Sequence, residues 1–158
     1  MTSAKHRRAK ERRAPKSIDP VCVECGGAGV LVSGAVIYPH RADLHDRTYY
    51  RCACGAYVGC HPGTQLALGF PAGADTRSLR NRIHKAFDPL WKERVEQGVA
   101  QFRARGRAYK WLARELGIRP DECHISQMDG ELAARALAIV QPVYDAWAAG
   151  KKKGRRPD

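Results

Sequence analysis

Four cysteines fall in two tight pairs, Cys22-x-x-Cys25-Gly26 and Cys52-x-Cys54-Gly55, with 26 residues between them. No other feature of the chain narrows its fold as much. A zinc ion takes four sulfur or nitrogen ligands in a tetrahedron, and two close Cys pairs on two β-turns supply them. Glycine after the second Cys of each pair suits such turns, which expose backbone N–H groups toward the thiolates and often need a positive φ. Two other uses compete: cysteines as small buried fillers, or a disulfide scaffold. Pairs this tight are rare by chance, and secretion is not expected. The basic start Lys5-His6-Arg7-Arg8 runs into further charge where a signal peptide would carry its apolar segment. The reading is therefore a zinc site of Cys22, Cys25, Cys52 and Cys54, with Zn²⁺ as the cofactor. The second pair is one residue shorter than the usual C-x-x-C, so Cys60 and His61 stand as alternates to Cys52.

Charge gives the second constraint. The 158 residues hold 28 Lys and Arg against 16 Asp and Glu, a formal charge of +12. An excess of this size points to a polyanionic partner. Residues 1–17 carry +6 and residues 148–158 carry +4, so ten of the twelve charges sit in the two tails. The rest is uneven: −2 over residues 18–76, +8 over 77–119 and −4 over 120–147. Four thiolates and one Zn²⁺ add a further −2 to the first of these, which turns the zinc module away from phosphate contact and toward a structural role. Both tails lack apolar periodicity and read as disordered basic arms. The candidate nucleic-acid contacts in the arms are Arg7, Arg8, Arg12 and Arg13, then Lys151, Lys152, Lys153, Arg155 and Arg156. Those of the central segment are Arg77, Arg80, Arg82, Arg103, Arg105, Arg107 and Lys110. A membrane span needs about 20 consecutive apolar residues, and the longest run, Gly29 to Tyr38, is broken by Ser33 and Gly34. A cytoplasmic protein with no membrane partner is expected.

Periodicity divides the chain into an arm over 1–18, a zinc-ribbon module over 19–75, a helical region over 76–148 and a tail over 149–158. In the module, Val30–Val32, Ala35–Tyr38, Thr48–Arg51 and Ala56–Gly59 are β-branched or aromatic pieces between glycines, with 39–46 as a polar loop. From Thr76 the pattern turns helical, with Leu79, Ile83, Ala86 and Phe87 on one face. Asp88-Pro89 reads as a break, Asp88 capping a new short helix that buries Leu90, Trp91 and Val95. A third helix spans about Arg105–Leu116 and stops at Gly117; a fourth starts at Asp129 and is kinked by Pro142. The fold class is thus α+β, a small β zinc ribbon followed by about four helices, with disordered basic tails.

Several strings resemble one family, a bacterial, phage and prophage "zinc-finger-containing domain" family of unknown function. They are Cys22-Val23-Glu24-Cys25, Cys54-Gly55-Ala56-Tyr57-Val58-Gly59-Cys60-His61-Pro62-Gly63-Thr64 and His84-Lys85-Ala86-Phe87-Asp88-Pro89-Leu90-Trp91. Arg107-Ala108-Tyr109-Lys110-Trp111-Leu112-Ala113 and Cys123-His124-Ile125 complete the set, which spans roughly residues 21–140. The resemblance implies a zinc ribbon joined to a small helical region and a phage or prophage setting; it implies no reaction. The C-x-C of this chain departs from the C-x-x-C of that family.

Three functions follow in order. The first is nucleic-acid binding, to DNA or RNA, mainly through phosphates. The second is an adaptor on a host machine such as RNA polymerase or a ribosome. The third is a metal-dependent nuclease with His84, Asp88 and His124 as catalytic candidates, in a cleft shared with His61. Against the last stands a plain structural use of the same side chains, and an enzyme is the less favoured outcome. Residues 105–118 also read like the first helix of a helix-turn-helix, with a plain helical hairpin as the alternative.

Overall fold

The computed structural model describes residues 17–154, the side chains of 152–154 excepted. Arg7, Arg8, Arg12, Arg13, Arg155, Arg156 and the side chains of Lys152 and Lys153 therefore lie outside the described residues. Three strands, β1 (Val30–Ser33), β2 (Thr48–Arg51) and β3 (Tyr57–Gly59), form one antiparallel sheet in the order β1-β2-β3. Val30 faces Arg51 across the first pair, and Arg51 faces Tyr57 across the second. The expected strand at Ala35–Tyr38 is instead one helical turn, α1 (Gly34–Ile37). Glycine permits it, since a Cβ on Gly34 would lie 1.8 Å from the Leu44 carbonyl oxygen. The turn delivers Tyr38 to the sheet, where Tyr38, Tyr49 and Tyr57 pack edge to face with centroids 5.7–6.1 Å apart. The Tyr38 and Tyr57 hydroxyls share a 2.7 Å hydrogen bond, and burial, then that bond, push the Tyr57 phenol up to about 12.

The helical region consists of α2 (Ala74–Glu96), α3 (Gln101–Leu116) and α4 (Gly130–Gly154), with a 3-10 turn at Ile125–Gln127 before α4. The expected break at Asp88-Pro89 is absent: α2 runs through Pro89. A proline inside a helix costs about 3 kcal/mol. Here Ile83, Phe87 and Trp91, spaced i, i+4, i+8, are all buried in one core with Leu112, Leu116, Ile125, Met128 and Val140. Burying side chains of this size is worth about 1.5–3 kcal/mol each, so continuity of that stripe outweighs the proline. Asp88 is accordingly not a cap. α3 starts four residues before the expected Arg105 and ends at Gly117, whose φ of +70° is the left-handed stop the sequence asked for. The Asp129 carboxylate accepts the Leu132 N–H at 2.8 Å and caps α4 as read.

α4 also corrects the tail boundary. It continues through Pro142 to Gly154, so residues 149–154 are helical rather than a disordered tail. Glu93 of α2 holds this end, accepting the Trp147 indole N–H at 2.7 Å and pairing with Lys151. Between α3 and α4, residues 117–129 contain only the 3-10 turn, with no recognition helix; the helical-hairpin alternative describes the segment. No helix among the described residues is long and apolar enough to cross a membrane.

Arg80 binds the two regions together. It is 7% exposed. Its Nε and one terminal nitrogen donate to the Met128 carbonyl at 2.9 and 2.6 Å, and the other donates to the Phe70 carbonyl at 2.8 Å. Desolvation lowers its pKa to about 10, which still leaves it charged at neutral pH. Arg80 is therefore withdrawn from the expected phosphate-contacting set, because its donors are spent on loop carbonyls. Replacing it by Ala strands the buried Met128 carbonyl and the half-buried Phe70 carbonyl, and we expect Arg80→Ala to lower unfolding free energy in urea by about 2–4 kcal/mol. A loss below about 0.5 kcal/mol would contradict this role.

Candidate metal centre and basic helix face

Each cysteine pair sits on a tight turn. In the first, the Cys22 N–H donates to Gly27 O at 2.8 Å and the Gly26 N–H returns to Cys22 O at 2.9 Å. In the second, the Cys52 N–H donates to Ala56 O at 2.8 Å and the Gly55 N–H returns to Cys52 O at 2.9 Å. The returning bond closes from the fourth residue on in the first turn and from the third in the second. One residue fewer is thus absorbed as a tighter turn, and C-x-C reaches the same end as C-x-x-C. Gly26 and Gly55, with φ of +75° and +94°, are the left-handed residues that make both turns possible.

The turns face each other. One sulfur from each of Cys22, Cys25, Cys52 and Cys54 lies within 4.8 Å of all the others. Cys22 and Cys54 Sγ are 3.6 Å apart, and Cys25 and Cys52 Sγ are 3.4 Å apart. Sulfurs at about 2.3 Å from a tetrahedral zinc are roughly 3.8 Å from one another, so the tetrad fits the ion. Glycine is required beside it: a Cβ on Gly27 would come within 2.9 Å of Cys52 Sγ and 3.3 Å of Cys25 Sγ. Thiolates crowded together resist joint ionisation without a cation. The Cys54 N–H, then Cys25, hold the Cys52 thiol down to about 7. The Gly27 N–H pulls Cys25 the same way, but Cys52 and Cys54 push it up to about 12. A divalent ion removes that conflict, and a site closed by four thiolates is structural. Among the described residues, Cys60 and His61 are outside the cluster. Cys60 lies at the far end of β3, where its N–H donates to Thr48 O at 3.2 Å.

One ligand-loop residue went unread in the sequence. Glu24, between the first two cysteines, reaches the start of α2. Its Oε1 accepts the Gly73 N–H at 2.9 Å and the Thr76 hydroxyl at 2.7 Å, and these bonds, Thr76 first, lower its pKa. Gly73 has no side chain of its own to cap α2, so the zinc loop supplies the cap. Arg77, expected at the nucleic-acid surface, is half-buried at the same junction. Its guanidinium lies 3.7 Å from the Tyr57 ring centroid and donates to Ala72 O.

The second candidate cluster does not form. Among the described residues no group of three metal-binding side chains exists beyond the cysteine tetrad, so His61, His84 and His124 do not converge on one metal position. Asp88 instead takes the His84 Nδ1 at 3.3 Å and the Trp91 indole N–H at 3.2 Å on one oxygen. His124 is exposed at the start of the 3-10 turn, and Cys123 beside it is buried, its thiol pushed up to about 11 by desolvation.

The remaining basic side chains are outward. Arg82, Arg103, Arg105, Arg107 and Lys110 are all exposed. On α3, Arg103, Arg107, Lys110 and Arg114 recur at i, i+4, i+7 and i+11, within an arc of about 60° and over roughly 16 Å of axis. Leu112 and Leu116 are buried on the opposite side. Arg114 pairs with Glu115 at 3.1 Å, whereas Arg103, Arg107 and Lys110 meet no carboxylate among the described residues.

A family model described as a zinc-finger-containing domain matches residues 18–143. No curated protein and no solved structure matches the chain.

Native mass spectrometry is expected to count one zinc per chain, lost in Cys52→Ser and kept in Cys60→Ser. Because two of the four ligands, Cys22 and Cys52, are themselves buried beside Ala56 in the zinc module, chelation should abolish the near-ultraviolet tyrosine signal of the sheet while most helical circular dichroism persists. Glu24→Ala should cost about 1 kcal/mol through the lost cap.

Proposed function

The chain belongs to the zinc-finger-containing domain family, and from that premise we propose that it is a cytoplasmic nucleic-acid-binding protein of phage or prophage setting. Zinc organises the fold, and helix α3 with the two basic arms holds phosphates. The observation that carries this reading is the row Arg103, Arg107, Lys110 on α3, three cations with no acidic partner among the described residues. Unpaired cations in one line on a rigid helix repel one another and gain most from a line of phosphates. The exposed Arg82 and Lys85 of α2 add to the same field. The zinc module, at −2 before its thiolates are counted, does not. Contacts of this kind position a polyanion and carry little base information.

The adaptor reading has one observation in its favour. β1 is an open sheet edge, and Val30 on it and Val36 just after it are 65% and 53% exposed. A partner retained from host lysate after nuclease treatment, and lost on Val30→Lys, would favour it.

For the leading reading, the logarithm of affinity should fall linearly with the logarithm of salt. Changing Arg103, Arg107 and Lys110 to Gln together should reduce the slope by about 2–3. Affinity that stays flat between low and moderate salt would refute it.

A further inference from the structure

We infer that α3 carries a notch for an unpaired nucleotide, centred on Gly106, so that the nucleic acid this protein takes is single-stranded; the inference rests on the phosphate-contacting reading above. Glycine is the poorest helix former after proline, yet Gly106 stands in the middle of the 16-residue α3. Its backbone is not left-handed. A Cβ placed on it would meet nothing within 4 Å, so no packing inside the protein asks for a missing side chain. What a missing side chain does offer is close approach from outside.

The positions around that gap are suited to one kind of visitor. One turn earlier stand Phe102 and Arg103, and one turn later stands Lys110. Phe102 is 75% exposed, more than any other exposed large apolar side chain of the described residues. The Arg103 guanidinium lies 5.7 Å from its ring centroid. The notch therefore has an aromatic wall, a bare backbone floor and cations along one side. The only acid of α3, Glu115, lies at its far end. An unpaired base stacks on Phe102, the sugar–phosphate chain passes over Gly106, and the phosphates meet Arg103 and Lys110. A duplex keeps its base faces inside the stack and offers Phe102 nothing to cover. Single-stranded DNA and RNA share the chemistry used here.

The test is fluorescence anisotropy of the full chain with oligo-dT, oligo-rU and a duplex of equal length at fixed salt, alongside thermal melting. Single strands of either sugar should bind more tightly than the duplex. Phe102→Ala should weaken single-strand binding roughly 5- to 150-fold and leave duplex binding unchanged, while Phe102→Trp retains it. Gly106→Ala should raise the melting temperature and still weaken single-strand binding, two effects of opposite sign. A more stable Gly106→Ala protein with unaltered affinity, together with a neutral Phe102→Ala, overturns the notch while the salt-dependent phosphate reading stands. If no oligonucleotide binds at any salt, both fall.

Discussion

Repulsion among four thiolates, relieved by one divalent ion, is the constraint on which the first half of this protein depends. The buried cluster beside the sheet consists of Cys22, Cys52 and Ala56. Tyr49, Val58, Ala67, Pro71 and Ala72 are buried elsewhere in the module, yet three strands of three or four residues with an interior this small fall short of offsetting their own conformational entropy. The metal supplements that small core, and the tyrosine trio adds shape around it. Position follows from this: β1, β2 and β3 hold their register because the two cysteine turns are fixed at one end.

The helical half has a hydrophobic core of its own. Ile83, Phe87 and Trp91 thread a continuous stripe through α2 into a core shared with α3 and α4. Its dependence on the zinc module is polar and local. Arg80 collects carbonyls from the loops on either side, and Arg77 lies flat on Tyr57. Both arginines look in sequence like members of a basic surface. In the fold they are joints, and the cations left free are concentrated on α3.

Much of this was legible in the chain. The tetrad was readable because ligand spacing is a local property, and β2 because Thr48–Arg51 is a β-branched and aromatic run. The caps at Asp129 and Gly117 were also local signals. What was not legible depended on tertiary balance. Pro89 reads as a break because its cost is local while the compensating burial of Phe87 and Trp91 is not. Ala35–Tyr38 has strand composition, but the contact that bends it, Gly34 against Leu44, lies ten residues on. Counting charge by segment located the basic region but could not separate the inward Arg80 from the outward Arg103. Helical spacing could have done so, since Arg80 shares the α2 face of Ile83 and Phe87 while 103, 107 and 110 share an α3 face opposite Leu112.

The placement of Glu24 inside the first cysteine loop gives the zinc site a reach beyond its own turn. Its carboxylate closes the start of α2, so the ordered loop and the ordered helix end each favour the other. Thermodynamic reciprocity then applies. Whatever steadies the start of α2 also tightens the hold on the metal, and the metal steadies the start of α2 in return. The ion is in that sense tied to the stability of a helix that it never touches.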